Sequence, residues 1–184
     1  MKRSTLAERR CPVARAAAQL VDAWSFVILR ELYFGNRRFE SIRLHTGMSP
    51  RSLALRLALL VEHEILVKQP CGDAAAIHEY RLTPKGLDLW PVMVTMRQWG
   101  TRWGGPWGRG GVPVKLVHRG HDHELDPVLT CAECGERVDA RSGQIAPTAA
   151  ALRDREAFAA EVAQSTARPA TRTMAGPRAR KPAA

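Results

Sequence analysis

A mainly α fold carrying a small β-hairpin is predicted by three observations. Two short helix-forming segments flank the turn Thr46-Gly47-Met48. Two short apolar-polar runs, Ile65-Leu66-Val67-Lys68-Gln69 and Ile77-His78-Glu79-Tyr80-Arg81-Leu82, enclose a Gly-containing tip at 71–76. A long apolar stripe then runs through Leu89, Val92, Met93, Met96, Trp99 and Trp103 at helical spacing. Helix, turn, helix and hairpin in that order make a winged helix-turn-helix, and the second helix of such a pair can enter a DNA major groove.

Each element has a local cause. Pro12 suits the first turn of a helix over 12–23, with Val13, Ala17, Leu20 and Val21 on one face. Phe26, Val27, Leu29 and Leu32 carry a denser helix from Trp24 to Tyr33, which Gly35-Asn36 ends. Phe39, Ile42 and Arg43 begin the next. Ser49 is an N-cap and Pro50 a first helical residue for a helix to about Glu62. On it Leu53, Leu57, Leu60 and Val61 share an inward face, while Arg51, Ser52 and Arg56 point away; Leu55 and Leu59 also point partly outward. Thr83 is the cap expected for a last helix reaching Trp103. An exposed apolar face of that length meets a partner in most proteins.

Charge is uneven along the chain. Of 28 basic and 18 acidic side chains, residues 1–112 hold 17 and 9, residues 113–145 hold 4 and 6, and residues 146–184 hold 7 and 3. The net +10 therefore sits mainly around the helix-turn-helix, which suits a polyanion such as double-stranded DNA. No run approaches the roughly 18 apolar residues of a membrane span, and no apolar signal core follows Lys2 and Arg3, so no membrane partner and a cytoplasmic location are expected. Four cysteines at 11, 71, 131 and 134 are too few and irregular for a disulfide framework.

The expected organisation is a basic arm at 1–10, a DNA-binding and dimerisation domain at 11–103, a Gly-rich linker at 104–111, a small Cys/His extension at 112–145 and an Ala-rich helix with a basic disordered tail at 146–184. The tail helix is expected over 147–164, with disorder from Ser165.

Candidate DNA contacts are Ser49, Arg51, Ser52 and Arg56 on the second helix, Arg37 and Arg38 before the first, and Lys68, His78 and Arg81 on the wing. Helix N-termini and arginines hold phosphates, and groove-inserted arginines read guanine edges. Cys131-Ala132-Glu133-Cys134 is one zinc knuckle, and structural zinc wants four ligands. His118, His121 and His123 lie upstream, and two of them with both thiolates would complete a structural zinc site. No other cofactor is required and no enzymatic activity is expected. Trp24, Trp90, Trp99 and Trp103 are core, interface or effector-pocket residues.

The run Cys11-Pro12-Val13, Trp24, Ile28-Leu29-Arg30-Glu31-Leu32, Arg37-Arg38-Phe39, Ser49-Pro50-Arg51, Leu53, Arg56-Leu57, Glu79-Tyr80-Arg81-Leu82-Thr83-Pro84-Lys85-Gly86 and Trp99-Gly100 resembles the HxlR-type bacterial transcriptional regulators. The resemblance spans about 11–103. It implies a homodimer that binds a dyad-symmetric operator and represses or activates nearby genes, with the first helix and the helix ending near Trp103 at the dimer interface. It also favours His121 and His123 as the partners of Cys131 and Cys134. It makes Cys11 a candidate redox sensor, so that an oxidant joins a small-molecule effector as a candidate signal. Three positions depart from the family pattern. Val21-Asp22-Ala23 stands where many members have Gly-Gly-Lys. Ala54-Leu55-Arg56-Leu57 stands where Ser-Gln-Arg-Leu is common. Glu64 stands where a glycine would suit a left-handed helix end. The competing reading is a protein-interaction module of the same fold without sequence-specific DNA readout, motivated by Leu55, Ala58 and Leu59 on the presumed recognition face.

Overall fold

The computed structural model describes residues 6–20, 22–71 and 74–167, and divides the chain into two units between Ile145 and Ala146. The first unit contains α1 (Pro12–Gln19), α2 (Ala23–Tyr33), α3 (Phe39–Thr46), α4 (Pro50–Glu62), β1 (Leu66–Cys71), β2 (Ala74–Leu82), α5 (Pro84–Leu87) and α6 (Trp90–Trp103). The second contains α7 (Ala149–Ala167), whose first turn is capped by the Thr148 hydroxyl accepting from Ala151 N at 3.2 Å. The helix expected to stop at 164 thus continues to Ala167; the rest of the expected tail, 168–184, lies outside the described residues, as do 1–5 of the basic arm and the wing-tip residues 72–73.

One expected helix ends early and another is broken, each for a local reason. The helix expected over 12–23 ends at Gln19 because Asp22 caps a new one, its carboxylate accepting from Trp24 N at 3.0 Å and Ser25 N at 3.3 Å. The helix expected from Thr83 to Trp103 stops at Leu87 and restarts at Trp90. Pro91 stands in the first turn of the restart, where its missing N–H costs nothing; inside a continuous helix it would remove a hydrogen bond.

The core gathers Ile28, Leu29 and Leu32 of α2, Ile42 of α3, Leu53, Leu57 and Leu60 of α4, and Ile65 and Leu66 at the start of the wing. The inward face assigned to α4 from spacing is the buried one. Three bonds fix the turn from α2 into α3. Glu31 is 2% exposed and accepts from Arg30 Nη2 at 2.6 Å and from Asn36 Nδ2 at 2.7 Å, and Ser41 Oγ donates to Asn36 Oδ1 at 3.0 Å. A buried carboxylate is tolerated only when satisfied in this way. Gly47 closes α3 at φ 68°, donating to Arg43 O at 2.9 Å.

The wing is antiparallel, pairing Leu66 with Leu82, Lys68 with Tyr80 and Pro70 with His78, with an irregularity between Pro70 and Cys71. Both strands extend further toward the tip than the runs 65–69 and 77–82. A third segment joins them: Tyr80 N donates to Arg37 O at 2.8 Å and Arg38 bridges to Glu79. Glu64 holds φ 57°, the left-handed conformation for which a glycine is the ordinary residue. Next to it the backbone of Gly86 passes so close to Ile65 that a Cβ on Gly86 would lie 2.3 Å from Ile65 O. Tyr33 Oη donates to Gly86 O at 2.8 Å, and burial, with the Asp88 charge, pushes its phenol up to about 12. Among the described residues no single helix is long and apolar enough to cross a membrane.

Candidate nucleic-acid interface

The start of α4 is presented to solvent. Ser49 caps it by accepting from Ser52 N at 3.3 Å, and Arg51 is exposed at its first turn. Pro50 has no N–H and those of Ser52 and Leu53 bond to Ser49, so the Arg51 N–H and the positive end of the helix are what that turn offers a phosphate. Further along, the outward face is apolar: Ala54 and Ala58 are exposed and Leu55 is 60% exposed.

Arg56 is engaged elsewhere. Its guanidinium forks onto Asp22, with Nε at 3.1 and 3.0 Å from the two carboxylate oxygens and Nη2 at 2.6 Å from Oδ2. Nη1 donates to Ser52 O at 3.2 Å and also to Ser52 Oγ. Two sequence-derived candidates, Ser52 and Arg56, thus bond to each other, and Arg56 also bonds to Asp22 at the head of α2. Hydrogen bonds from the Arg56 guanidinium, its charge and the Ser25 and Trp24 N–H groups hold the Asp22 carboxyl below the usual range, against its partial burial. In the sequence Asp22 stands as a departure from the family pattern, inside the helix expected over 12–23. Its N-cap role was legible in principle, since Asp precedes the apolar run by two residues; its ion pair, 34 residues away, was not.

Arg37 and Arg38 are exposed beside the start of α3, around a shallow pocket of about 300 Å³ that Asn36, Ser41 and Glu79 also line. On the wing Lys68 is exposed and His78 half-buried, while Arg81 pairs with Glu79 at 3.1 Å. The Cys71 thiol donates to the other Glu79 oxygen at 3.2 Å. That bond, then Arg81 and the Arg37 charge, hold Glu79 below the usual carboxylate range. Cys11 is exposed at the N-cap position of α1 and makes no side-chain capping bond.

The extension forms two small hairpins in sequence. In the first, Val117 bridges to Glu124, His118 N donates to His123 O at 3.2 Å and Leu125 N to Leu116 O at 2.7 Å. In the second, Thr130 bridges to Arg137 and Cys131 N donates to Glu136 O at 2.8 Å. Backbone N–H groups of Cys134 and Glu133, with the Cys134 side chain, lower the Cys131 thiol below its ordinary value. The intervening segment runs beside α6, where Gln98 Nε2 donates to Asp126 Oδ1 at 3.0 Å and to Pro127 O at 2.7 Å. His121 and His123 come together with His118, and that cluster includes neither Cys131 nor Cys134. Of the expected ligands, the histidines are on one hairpin and the cysteines on the next. A groove of about 870 Å³ between α6 and the extension is lined by Trp90, Val94, Trp99, Leu125 and Val138, with Arg97 at its wall. Arg97 Nη2 donates to Val114 O, while its buried Nε has no partner.

A helix pair joined by a glycine turn, a capped second helix facing solvent and a backbone-anchored hairpin define a winged-helix DNA-binding transcriptional regulator. Residues 19–107 match the HxlR-like helix-turn-helix family. The uncharacterised HTH-type transcriptional regulator Rv3095 of Mycobacterium tuberculosis (strain ATCC 25618 / H37Rv) is 37% identical over 134 residues, covering 71% of this chain and 81% of that relative. The HTH-type transcriptional regulator YodB of Bacillus subtilis (strain 168) is 33% identical over 91 residues, covering 48% of this chain and 81% of its own. The crystal structure of the candidate transcription factor PA1607 superposes with a TM-score of 0.70 at 31% identity, covering 78% of this chain and 99% of the other. The chain belongs to the HxlR-like helix-turn-helix family of transcriptional regulators.

Proposed function

We propose that two copies of the chain bind a dyad-symmetric operator, each placing the N-terminal half of α4 in a major groove and its wing on the flanking backbone. The observation that carries this reading is the solvent-facing first turn of α4, where Ser49 and the exposed Arg51 lie together. Arg37, Arg38, Lys68 and Arg81 are assigned as phosphate contacts, with His78 beside Lys68 and Arg81 on the wing. Ser52 and Arg56 hold the helix in position from behind. Homodimer formation is supported by the apolar stripe of α6, where Trp99 and Trp103 are 65% and 67% exposed. As signals we assign an oxidant acting at the exposed Cys11 or a small-molecule effector entering the groove beside Arg97. Selecting genomic DNA fragments with the purified protein at two salt concentrations tests the reading, with the mass of the free protein measured in parallel. A dimer that enriches a dyad-symmetric site with a steep salt slope supports it. A monomer, or binding without an enriched site, overturns it.

The exposed Leu55 favours a second reading, in which the face of α4 meets a protein instead of DNA. Absence of any salt-sensitive duplex binding is the result that would select it.

A further inference from the structure

We infer that His118, His121 and His123 form a site for a divalent transition-metal ion, held by three imidazoles with an open coordination position and without the cysteine pair. One ligand atom from each residue lies within 4.8 Å of the other two, close enough for rotation of the exposed side chains to bring all three onto one ion. The rings lie together: His118 and His121 are stacked with centroids 4.2 Å apart, and His123 stands 5.2 and 5.6 Å from them.

Two features of the backbone produce this. Gly120 turns the chain at φ 84°, between the first and second histidines. The hairpin bond from His118 N to His123 O, 3.2 Å, then sets the outer two side by side.

The orientation of one ring is also fixed. His123 Nδ1 lies 2.9 Å from Glu124 O. A carbonyl oxygen only accepts, so Nδ1 carries the proton and Nε2 keeps its lone pair for a ligand. Metal-binding histidines are commonly oriented in this way by a backbone carbonyl.

Imidazole donors suit zinc, copper and nickel, and affinity among divalent ions rises toward copper. A three-nitrogen set leaves a fourth position for water or a group brought by another molecule. The flanks of the hairpin are both tied to α6, through Arg97 to Val114 O and Gln98 to Asp126 and Pro127. Binding would therefore stiffen a segment anchored to the helix with the exposed tryptophans.

The test is titration of tag-free, metal-stripped full-length protein with cobalt(II), read by visible absorption and by bound metal after dialysis. About one ion per chain is expected, with ligand-field bands but no thiolate-to-metal charge-transfer band. His118→Gln, His121→Gln and His123→Gln should each weaken binding at least about tenfold, the loss seen even for outer partners of a metal site. The double variant Cys131→Ser with Cys134→Ser should bind as the parent does. A charge-transfer band that this double variant abolishes would overturn the assignment in favour of a mixed sulfur and nitrogen site. Unaltered binding by the histidine variants, or less than half an ion per chain, would also overturn it. These readouts involve no DNA, so they stand or fall apart from the operator reading.

Discussion

Removing the charge of Asp22 should loosen the joint between α2 and α4 without unwinding either helix. Asp22→Asn keeps an oxygen able to cap Trp24 N and Ser25 N, because asparagine caps as well as aspartate. What it removes is the fork from Arg56, whose side chain is 17% exposed against 37% for Asp22. Exposed pairs contribute about 0.2–1 kcal/mol, and the bidentate geometry puts this one at the upper end. With Asp22 more than one third exposed, screening by solvent rules out a larger figure, so ~1 kcal/mol is expected. Asp22→Ala should cost a further ~1 kcal/mol by removing the cap. Urea denaturation of the parent, Asp22→Asn, Arg56→Met and the double variant gives the coupling directly. The lowered Asp22 carboxyl also fixes the pH dependence. A carboxyl whose folded pKa is depressed stabilises the fold above its unfolded pKa, near 4, and that contribution is lost as pH falls through the folded value. The parent should thus lose its advantage over Asp22→Asn between about pH 4 and lower values. Coupling below about 0.3 kcal/mol, within the error of additivity, would refute the joint.

Other expectations follow from single sites. Arg51→Ala should weaken duplex binding about tenfold and reduce the salt slope by about 1, while Arg56→Ala mainly lowers stability; equal losses of DNA affinity would contradict the division of labour between them. Gly86→Ala forces a Cβ against Ile65 O, and the backbone shift should cost about 1–3 kcal/mol in thermal denaturation. Glu64→Gly relieves a left-handed side-chain position at some gain in unfolded-chain freedom, for a net stabilisation of about 0.5 kcal/mol, and a lower melting temperature would show that Glu64 makes a compensating contact. Ser49→Ala should destabilise by ~1 kcal/mol and weaken duplex binding, because the cap fixes the turn carrying Arg51.

The elements of the fold were legible because their signals are local. Ser49-Pro50 marks a helix start, Gly47 a left-handed end, and Leu53, Leu57 and Leu60 a buried face, and each depends on neighbours within one or two turns. The two breaks were missed where a residue admits two roles. Asp22 fits a helix surface or a cap, and Pro91 fits the interior of a kinked helix or the first turn of a new one. The strand-like pairing of Arg37 and Arg38 was hidden because neither residue carries an alternating pattern; only the wing supplies their partners. At the site, the engagement of Arg56 and the grouping of three histidines depend on contacts that spacing alone does not encode. Sequence offered three histidines and two cysteines as equivalent donors, and the hairpin pairing divides them.

The bonds from Arg37 and Arg38 to the wing have a consequence for how a target sequence is chosen. Because the hairpin shares backbone hydrogen bonds with the segment that begins α3, Lys68 and Arg81 cannot shift relative to the helix pair without breaking a ladder. If α4 and the wing contact one duplex as proposed, the spacing between those contacts is then a fixed length to which the duplex would bring its groove width. Sequences that bend or narrow at low cost would be preferred even at base pairs no side chain touches. Flexibility of the DNA, measured as affinity against groove-width variants of one site, would rank targets where the apolar outer face of α4 offers few hydrogen bonds to do so.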